Sequence, residues 1–312
     1  MRVLVPGGAG FIGRHVVAAL LDRGQTVVVG SRHPGRAALR LAGPARDCER
    51  RALHFEHLAD PDDWDAALGG IDAVVNCVGI LRQRAGETYD AVHHRAPAAL
   101  AAACRARGMR LVHVSALGLC HAHRSRFLRS KLAGEQALAR SGADYRIARP
   151  SLLDGAGGYG ASWLRAAARL PLLALPRRAS GRIAVLRVDE LGEALAALAE
   201  RDIASNAGEH EREFDLGGPE AFSLADYLRL RRVENGRRAA PLLPVPAWLA
   251  RAASHACDLL HLTPFSFGHW ELLQVDNLPV RNRLGELLGR EPRGVVGKAP
   301  SRLLPTGALP AG

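Results

Sequence analysis

The stretch Val3 to Arg14, VLVPGGAGFIGR, decides how the chain is read, because a short apolar strand runs directly into three glycines spaced three apart, Gly7, Gly10 and Gly13. That spacing predicts a cradle for a dinucleotide pyrophosphate. Gly7 lets the chain turn off the strand, Gly10 removes a side chain where a phosphate must approach the backbone, and Gly13 admits close packing of the following helix. A helix opening at Phe11 and Ile12 aims free N–H groups and its positive dipole end at the phosphates. The glycines alone fit many loops, and the same letters match a second frame from Gly8, so the context matters. HVVAALLDRG (15–24) repeats apolar residues at helical spacing and stops at Gly24, and QTVVVGSR (25–32) is a second buried strand. Strand, glycine loop, helix, strand is the unit that holds a dinucleotide.

The end of that second strand bears on which dinucleotide. A carboxylate about twenty residues past the glycines would bond the adenosine ribose diol. Here the chain reads Gly30, Ser31, Arg32, His33, with Arg36 close behind and no acid at the strand end. Arginines make charge-assisted bonds to a ribose phosphate, so NADP(H) is expected ahead of NAD(H).

Strand and helix alternate onward. ALHFEHL (52–58) is predicted as a third strand, DPDDWDAALGG (60–70) as a helix and DAVVNCVG (72–79) as a fourth strand. APAALAAACRARG (96–108) is a helix, MRLVHVSALG (109–118) a fifth strand, SKLAGEQALARSG (130–142) a helix and DYRIARPS (144–151) a sixth strand. Such alternation predicts an α/β fold with a doubly wound parallel sheet, ligands binding at the carboxyl ends of its strands. After Ser151 the rhythm changes to a glycine loop, DGAGGYG (154–160), and proline-bounded segments. We expect a Rossmann domain over 1–150, a smaller substrate lobe over 151–290 and a loose tail over 291–312. The helix VDELGEALAALAER (188–201) and the strand in REFDLGGPE (212–220) are expected to rejoin or brace the first domain.

Across 312 residues the net charge is +11, with 48% hydrophobic and 5% aromatic residues, a cationic surface suited to phosphate-bearing ligands, anionic lipid or an acidic protein partner. The arginines are scattered and no nucleic-acid motif appears, so no nucleic acid is expected. Five cysteines without a CxxC pair point to a reducing compartment rather than a disulfide framework. Cys120, His121 and His123 lack a second ligand pair, so no metal is expected. The first strand follows Met1 at once and no apolar run reaches the roughly 18 residues of a spanning helix. A cytoplasmic protein is expected, with attachment to the inner-membrane surface compatible with its charge.

Together GGAGFIGR, VVNCVGI, VHVSALG, SRFLRSKLAGEQAL, RIARPS, VDEL and FDLGGPE resemble the atypical and extended short-chain dehydrogenase/reductases, and among them the nucleotide-binding accessory subunits of respiratory complex I. The resemblance implies a bound NADP(H) or NAD(H) and, in active members, a Ser, Tyr, Lys catalytic set. Ser115 and Lys131 occupy two of those positions; the tyrosine position is Phe127, a ring with no proton to give. It also implies that Leu58, Asn76 and Gly79 lie around the adenosine and ribose and that Lys131 holds the nicotinamide ribose, while His57 stands where an aspartate is usual. Losing the phenol leads to the expectation of a non-catalytic or weakly catalytic NADP(H)-binding subunit, assembly factor or redox sensor. The alternative is an oxidoreductase or epimerase acting on a small carbonyl, sugar or quinone-related compound, with its proton from water or from His113, His121, His123 or Tyr159 as a replacement acid.

Overall fold

Val3, Leu4 and Val5 are fully buried, so β1 (Arg2–Pro6) has no polar side for water and lies inside the sheet, as parallel strands do. The computed structural model describes residues 1–84, 86–177, 179–204, 208–260 and 266–295. Within them β2 (Thr26–Ser31), β3 (Glu49–Ala52), β4 (Ala73–Asn76), β5 (Arg110–Val114) and β6 (Asp144–Pro150) pair in parallel in the order β3-β2-β1-β4-β5-β6. The strand Glu213–Leu216 pairs in parallel with β6 as a seventh. The order turns back between β1 and β4, which opens a crevice at their carboxyl ends.

Helices cover both faces. Gly13–Asp22 and Val188–Glu200 pack together on one, burying Val16, Val17 and Leu20 with Leu191, Leu195 and Leu198. On the other, Ala96–Ala106 and Arg126–Arg140 bury Leu100 and Leu138 with Trp64 and Leu68. A smaller lobe has its own core around Leu173, Phe222, Tyr227 and Leu228. It contains the helices Tyr159–Ala167, Leu224–Glu234 and Ala247–Leu260 and a parallel pair of strands, Leu173–Pro176 and Leu242–Val245. The doubly wound α/β sheet with a smaller C-terminal lobe is therefore the fold that forms. Of the expected tail, residues 296–312 lie outside the described residues.

Two local expectations are corrected. The third strand is the polar segment Glu49–Ala52 rather than 52–58, because an edge strand faces water and carries no apolar signature. Leu53 and Phe55 of the expected strand are buried beyond its end, with Phe55 opening a 3-10 turn. The helix expected over 60–70 is a 3-10 turn, Pro61–Trp64, capped by Asp60, followed by one α-turn, Asp65–Leu68.

One close approach positions the later site. The helix Arg126–Arg140 crosses a π-helical turn, Ala91–Arg95, at Gly134, where a Cβ would lie 2.0 Å from the carbonyl oxygen of His93. Backbone must therefore separate to admit any side chain. Gly134→Ala is expected to lower stability by about 1–3 kcal/mol, the usual cost of overpacking, read as a fall in the urea midpoint; an unchanged midpoint would show that the two segments part freely.

Candidate active site

The cradle is set by the backbone. Gly7 has φ +75° and its amide donates to the Gly30 carbonyl at 2.8 Å, tying the loop to β2; the Gly10 amide donates to the Gly7 carbonyl at 2.8 Å. A Cβ on Gly10 would lie 2.9 Å from the Gly7 carbonyl oxygen and one on Gly13 only 2.2 Å from it, so Gly13 packs under the turn itself. Among the described residues the amides of Phe11 and Ile12 meet no acceptor within the chain. Both residues line a cleft of about 530 Å³, with Gly7 and Gly10 beside them. Amides left open at a helix start take anionic oxygens, so the residues present fit a pyrophosphate. The loop after β6 closes over them: a Cβ on Gly158 would lie 2.7 Å from the Phe11 ring.

Ser31, Arg32 and Arg36 line the same cleft, and so do His33 and Arg40, which the sequence did not single out. The picture of a strand end without an acid changes, because Glu87 also lines the cleft and pairs with Arg32. That carboxylate lies 55 residues along the chain, too far for any local pattern. Arg36 and Arg40 form no ion pair among the described residues. Leu58 and Asn76 stand outside the lining. The Leu58 amide already donates to Phe55 at 3.3 Å. Asn76 is buried, accepting from the Val78 amide at 3.1 Å through Oδ1 and donating to Nδ1 of His113 at 3.1 Å, and thereby shapes the wall of Cys77, Val78 and Gly79. His57 is exposed.

Ser115, Phe127 and Lys131 meet at the other end. Ser115 follows β5 and is buried, and its Oγ has no hydrogen-bond partner within the described chain. A buried hydroxyl left open in a cleft is an invitation to a ligand oxygen. Phe127 and Lys131 are one helical turn apart, with Nζ 5.9 Å from the ring centroid. Burial brings the Lys131 ammonium down to about 8, against the opposing pull of Glu135 one turn further on. Glu135 is itself held by Arg149 at 2.6 Å, which also binds Glu213 at 2.8 Å.

His93 was not anticipated, and a buried histidine in a π-turn leaves no mark in the spacing. Its Nε2 accepts from the Ile80 amide at 3.0 Å. Ser130 gives its hydrogen to the Phe127 carbonyl at 2.8 Å, so Nδ1 of His93 must donate to Ser130 Oγ at 3.0 Å. One neutral tautomer results, and burial together with Lys131 keeps the ring's pKa well below its ordinary value. His93 also meets Phe127 edge-on with centroids 5.5 Å apart, and His269 stacks on the opposite side at 6.1 Å. Gly79 belongs to this end: a Cβ there would lie 3.8 Å from both His93 Nε2 and Lys131 Nζ.

Of the four replacement acids, His113 accepts from Asn76 at Nδ1 and burial lowers it to about 3, so at neutral pH it lacks the imidazolium proton that a general acid gives. His121 and His123 line a separate surface hollow with Arg124 and Gln136. Only Tyr159 reaches the cleft, at its exposed rim.

Residues 7–170, just over half of the chain, match the family model described as NAD(P)H-binding. The chain belongs to the NAD(P)H-binding family. It has a Rossmann fold, and it binds a dinucleotide. It is similar to a ceramide reductase of Caulobacter vibrioides, with 30% identity over 197 residues, 62% of this chain and 60% of that protein. A weaker similarity, 24% over 279 residues, covers 87% of this chain and 67% of a mitochondrial NADH dehydrogenase [ubiquinone] 1 alpha subcomplex subunit 9 of Arabidopsis thaliana. The chain thus spans about three fifths to two thirds of these relatives' lengths.

Among solved structures, an NADPH-dependent quinone oxidoreductase of Escherichia coli complexed with NADPH shares the fold at TM-score 0.68 and 19% identity, covering 94% of this chain and 96% of that one. A UDP-glucuronic acid 4-epimerase of Bacillus cereus, in complex with UDP-glucuronic acid and NAD, does so at 0.65 and 16%, covering 94% and 95%. The expectation of a non-catalytic or weakly catalytic subunit, assembly factor or sensor is corrected by this company: the structures that resemble this NAD(P)H-binding chain are named as an oxidoreductase and an epimerase. The physical reason is that Phe127 deletes one donor and leaves Ser115 and Lys131 on the cleft. Gly10→Val is expected to abolish NAD(P)H binding in a fluorescence titration with an unchanged circular dichroism spectrum; retained binding would put the pyrophosphate elsewhere.

Proposed function

We propose that this protein is an NADP(H)-dependent oxidoreductase that reduces a carbonyl group, with Lys131 rather than a tyrosine as the proton source. The observation that carries the reading is the unpartnered, buried Ser115 hydroxyl in the cleft that Lys131, itself half-buried, also lines. The residues that would hold the dinucleotide are the cradle from Gly7 to Ile12, with Arg36 and Arg40 free for a ribose phosphate. When bound, the dinucleotide supplies the hydride to the carbonyl carbon. Ser115 Oγ donates to the carbonyl oxygen and orients it. The Lys131 ammonium gives that oxygen its proton, and the neutral amine left behind regains one from water. An amine near 8 is charged at neutral pH and still gives up a proton, the condition general acid catalysis asks for. Val92, Val114 and Phe127 make the walls at this end apolar, and the similarity to a ceramide reductase points the same way, so the favoured substrate is an apolar ketone.

Two measurements test this. Lys131→Met is expected to cut carbonyl reduction by about a hundred- to ten-thousand-fold across a panel of ketones, sugar nucleotides and quinones, with Tyr159→Phe near the parent. Methionine keeps the length and apolar stem of the side chain, so thermal stability should not fall. Because the donor must be protonated, kcat/KM for reduction should be level at lower pH and decline as pH rises through about 8; the reverse reaction should rise through the same range. Loss of turnover in Tyr159→Phe with retention in Lys131→Met would assign the proton to the phenol. For the cofactor, Arg36→Ala is expected to weaken NADPH binding about tenfold while leaving NADH within twofold, as loss of one charge-assisted contact does. Equal losses would separate Arg36 from the phosphate.

A further inference from the structure

Many arginines of the molecule are matched with acids, for example Arg23 with Glu200, Arg110 with Asp202, Arg182 with Asp276 and Arg290 with Glu193, while others, Arg36 and Arg40 in the cleft among them, are not. One face of the C-terminal lobe joins unmatched arginines to exposed apolar side chains. Residues 155–188 and 235–257 contain no aspartate or glutamate, and the strand pair Leu173–Pro176 and Leu242–Val245 brings the two segments together. On them Arg169, Arg177, Arg237, Arg238 and Arg251 are exposed, and among the described residues none has a carboxylate partner.

The same face shows large apolar side chains to solvent. Trp248 is 72% exposed, Leu170 53% and Leu243 50%, joined by Leu172, Leu242 and Leu249. Continuity comes from the chain path: Leu170 and Leu172 lead into the first strand of the pair, Leu242 and Leu243 lie on the second, and Trp248 and Leu249 open the helix Ala247–Leu260, which packs on the first strand. Leucines and a tryptophan on the same segments as guanidinium groups without carboxylate partners suit an interfacial surface: the ring and the leucines enter the acyl boundary while the arginines stay at the phosphates. No helix among the described residues is long and apolar enough to cross a membrane, so contact would be from one side.

We infer that this face docks on the surface of a bilayer containing anionic phospholipid. Charge selects that occupant. A second copy would set five arginines against five, and the chain's own residues 296–312 carry Lys298 and Arg302 with no acid, so neither supplies the opposing charge. An array of lipid phosphates does, and it also accepts the apolar side chains that a purely acidic surface would leave exposed.

The test uses the full chain with vesicles of phosphatidylcholine alone and of phosphatidylcholine mixed with phosphatidylglycerol, read by co-sedimentation. Binding is expected only to the mixed vesicles, weakening as salt is raised. Arg237→Glu with Arg238→Glu should reduce it about tenfold or more, and Trp248→Ser with Leu243→Ser should do likewise. All four side chains are exposed, so thermal stability and nucleotide binding should be unchanged, keeping this outcome separate from the fate of the reductase reading. Bromine-labelled lipid should quench tryptophan fluorescence in the parent and less in Trp248→Phe. Equal sedimentation with both vesicle types, binding unaltered by either double variant, or a concentration-dependent dimer abolished by the same variants would overturn the proposal, the last by assigning the face to a second copy.

Discussion

Partial burial of the Lys131 side chain is the constraint around which this end of the cleft is arranged. A charge taken out of water needs opposing charge or a proton transfer, and the packing supplies the first in dilute form. Glu135 is nearest along the helix, yet its oxygens are engaged by Arg149, and Arg149 is shared with Glu213, so the triad presents one net negative charge spread over three groups. His93 and His113 stay neutral because burial disfavours their charged forms, and repulsion by Lys131 adds to that. Phe127 contributes the face of a ring and no competing titration. The amine is left easier to deprotonate than an exposed lysine and no weaker as a ligand for a carbonyl oxygen.

How that arrangement is reached goes back to Gly134. Only a residue without a side chain lets the helix Arg126–Arg140 touch the His93 carbonyl. That contact sets the ring of Phe127 against His93 and brings Ser130 within reach of His93 Nδ1. The fixed imidazole in turn holds the Ile80 amide, and with it the loop after β4 that forms one wall. Two rings against Phe127 have their own hydrogen bonds assigned: both nitrogens of His93 are used, and Tyr89 gives its hydroxyl to the Leu81 carbonyl. Phenylalanine at this position agrees with its neighbours.

Much of this was legible in the sequence, for a reason that also marks where legibility ends. Features governed by neighbours a few residues apart were visible: the Gly7 to Gly13 turn, the buried β1, β2 and β4, and the pairing of Phe127 with Lys131 on one helix. Features that depend on distant partners were not. Glu87 beside Arg32 and His93 beneath Phe127 come from a connection after β4 with no periodic pattern, and β3 is polar because it sits at an edge. Loss of the phenol weighed alone points to a non-catalytic or weakly catalytic protein. Placed beside an open hydroxyl and a half-buried lysine it no longer does, since general acid catalysis is set by a group's environment more than by its name.

The helix Tyr159–Ala167 joins the two proposals physically. Its first residues, Tyr159 and Gly160, line the cleft, and the chain leaving its far end reaches Leu170 and Leu172 on the arginine-rich face. Nine residues of helix rise about 14 Å, less than half the roughly 30 Å hydrocarbon thickness of a bilayer. A lobe seated at the headgroups would therefore hold the cleft's rim within one lipid's reach of the membrane. An apolar ketone concentrated in that bilayer would meet the rim at Tyr159, half exposed at 57%, before meeting Ser115, which is buried. Water would enter by the same rim, so the order of contacts, an aromatic at the mouth and the open hydroxyl and amine behind it, favours a substrate that arrives from an apolar phase and leaves its solvent there.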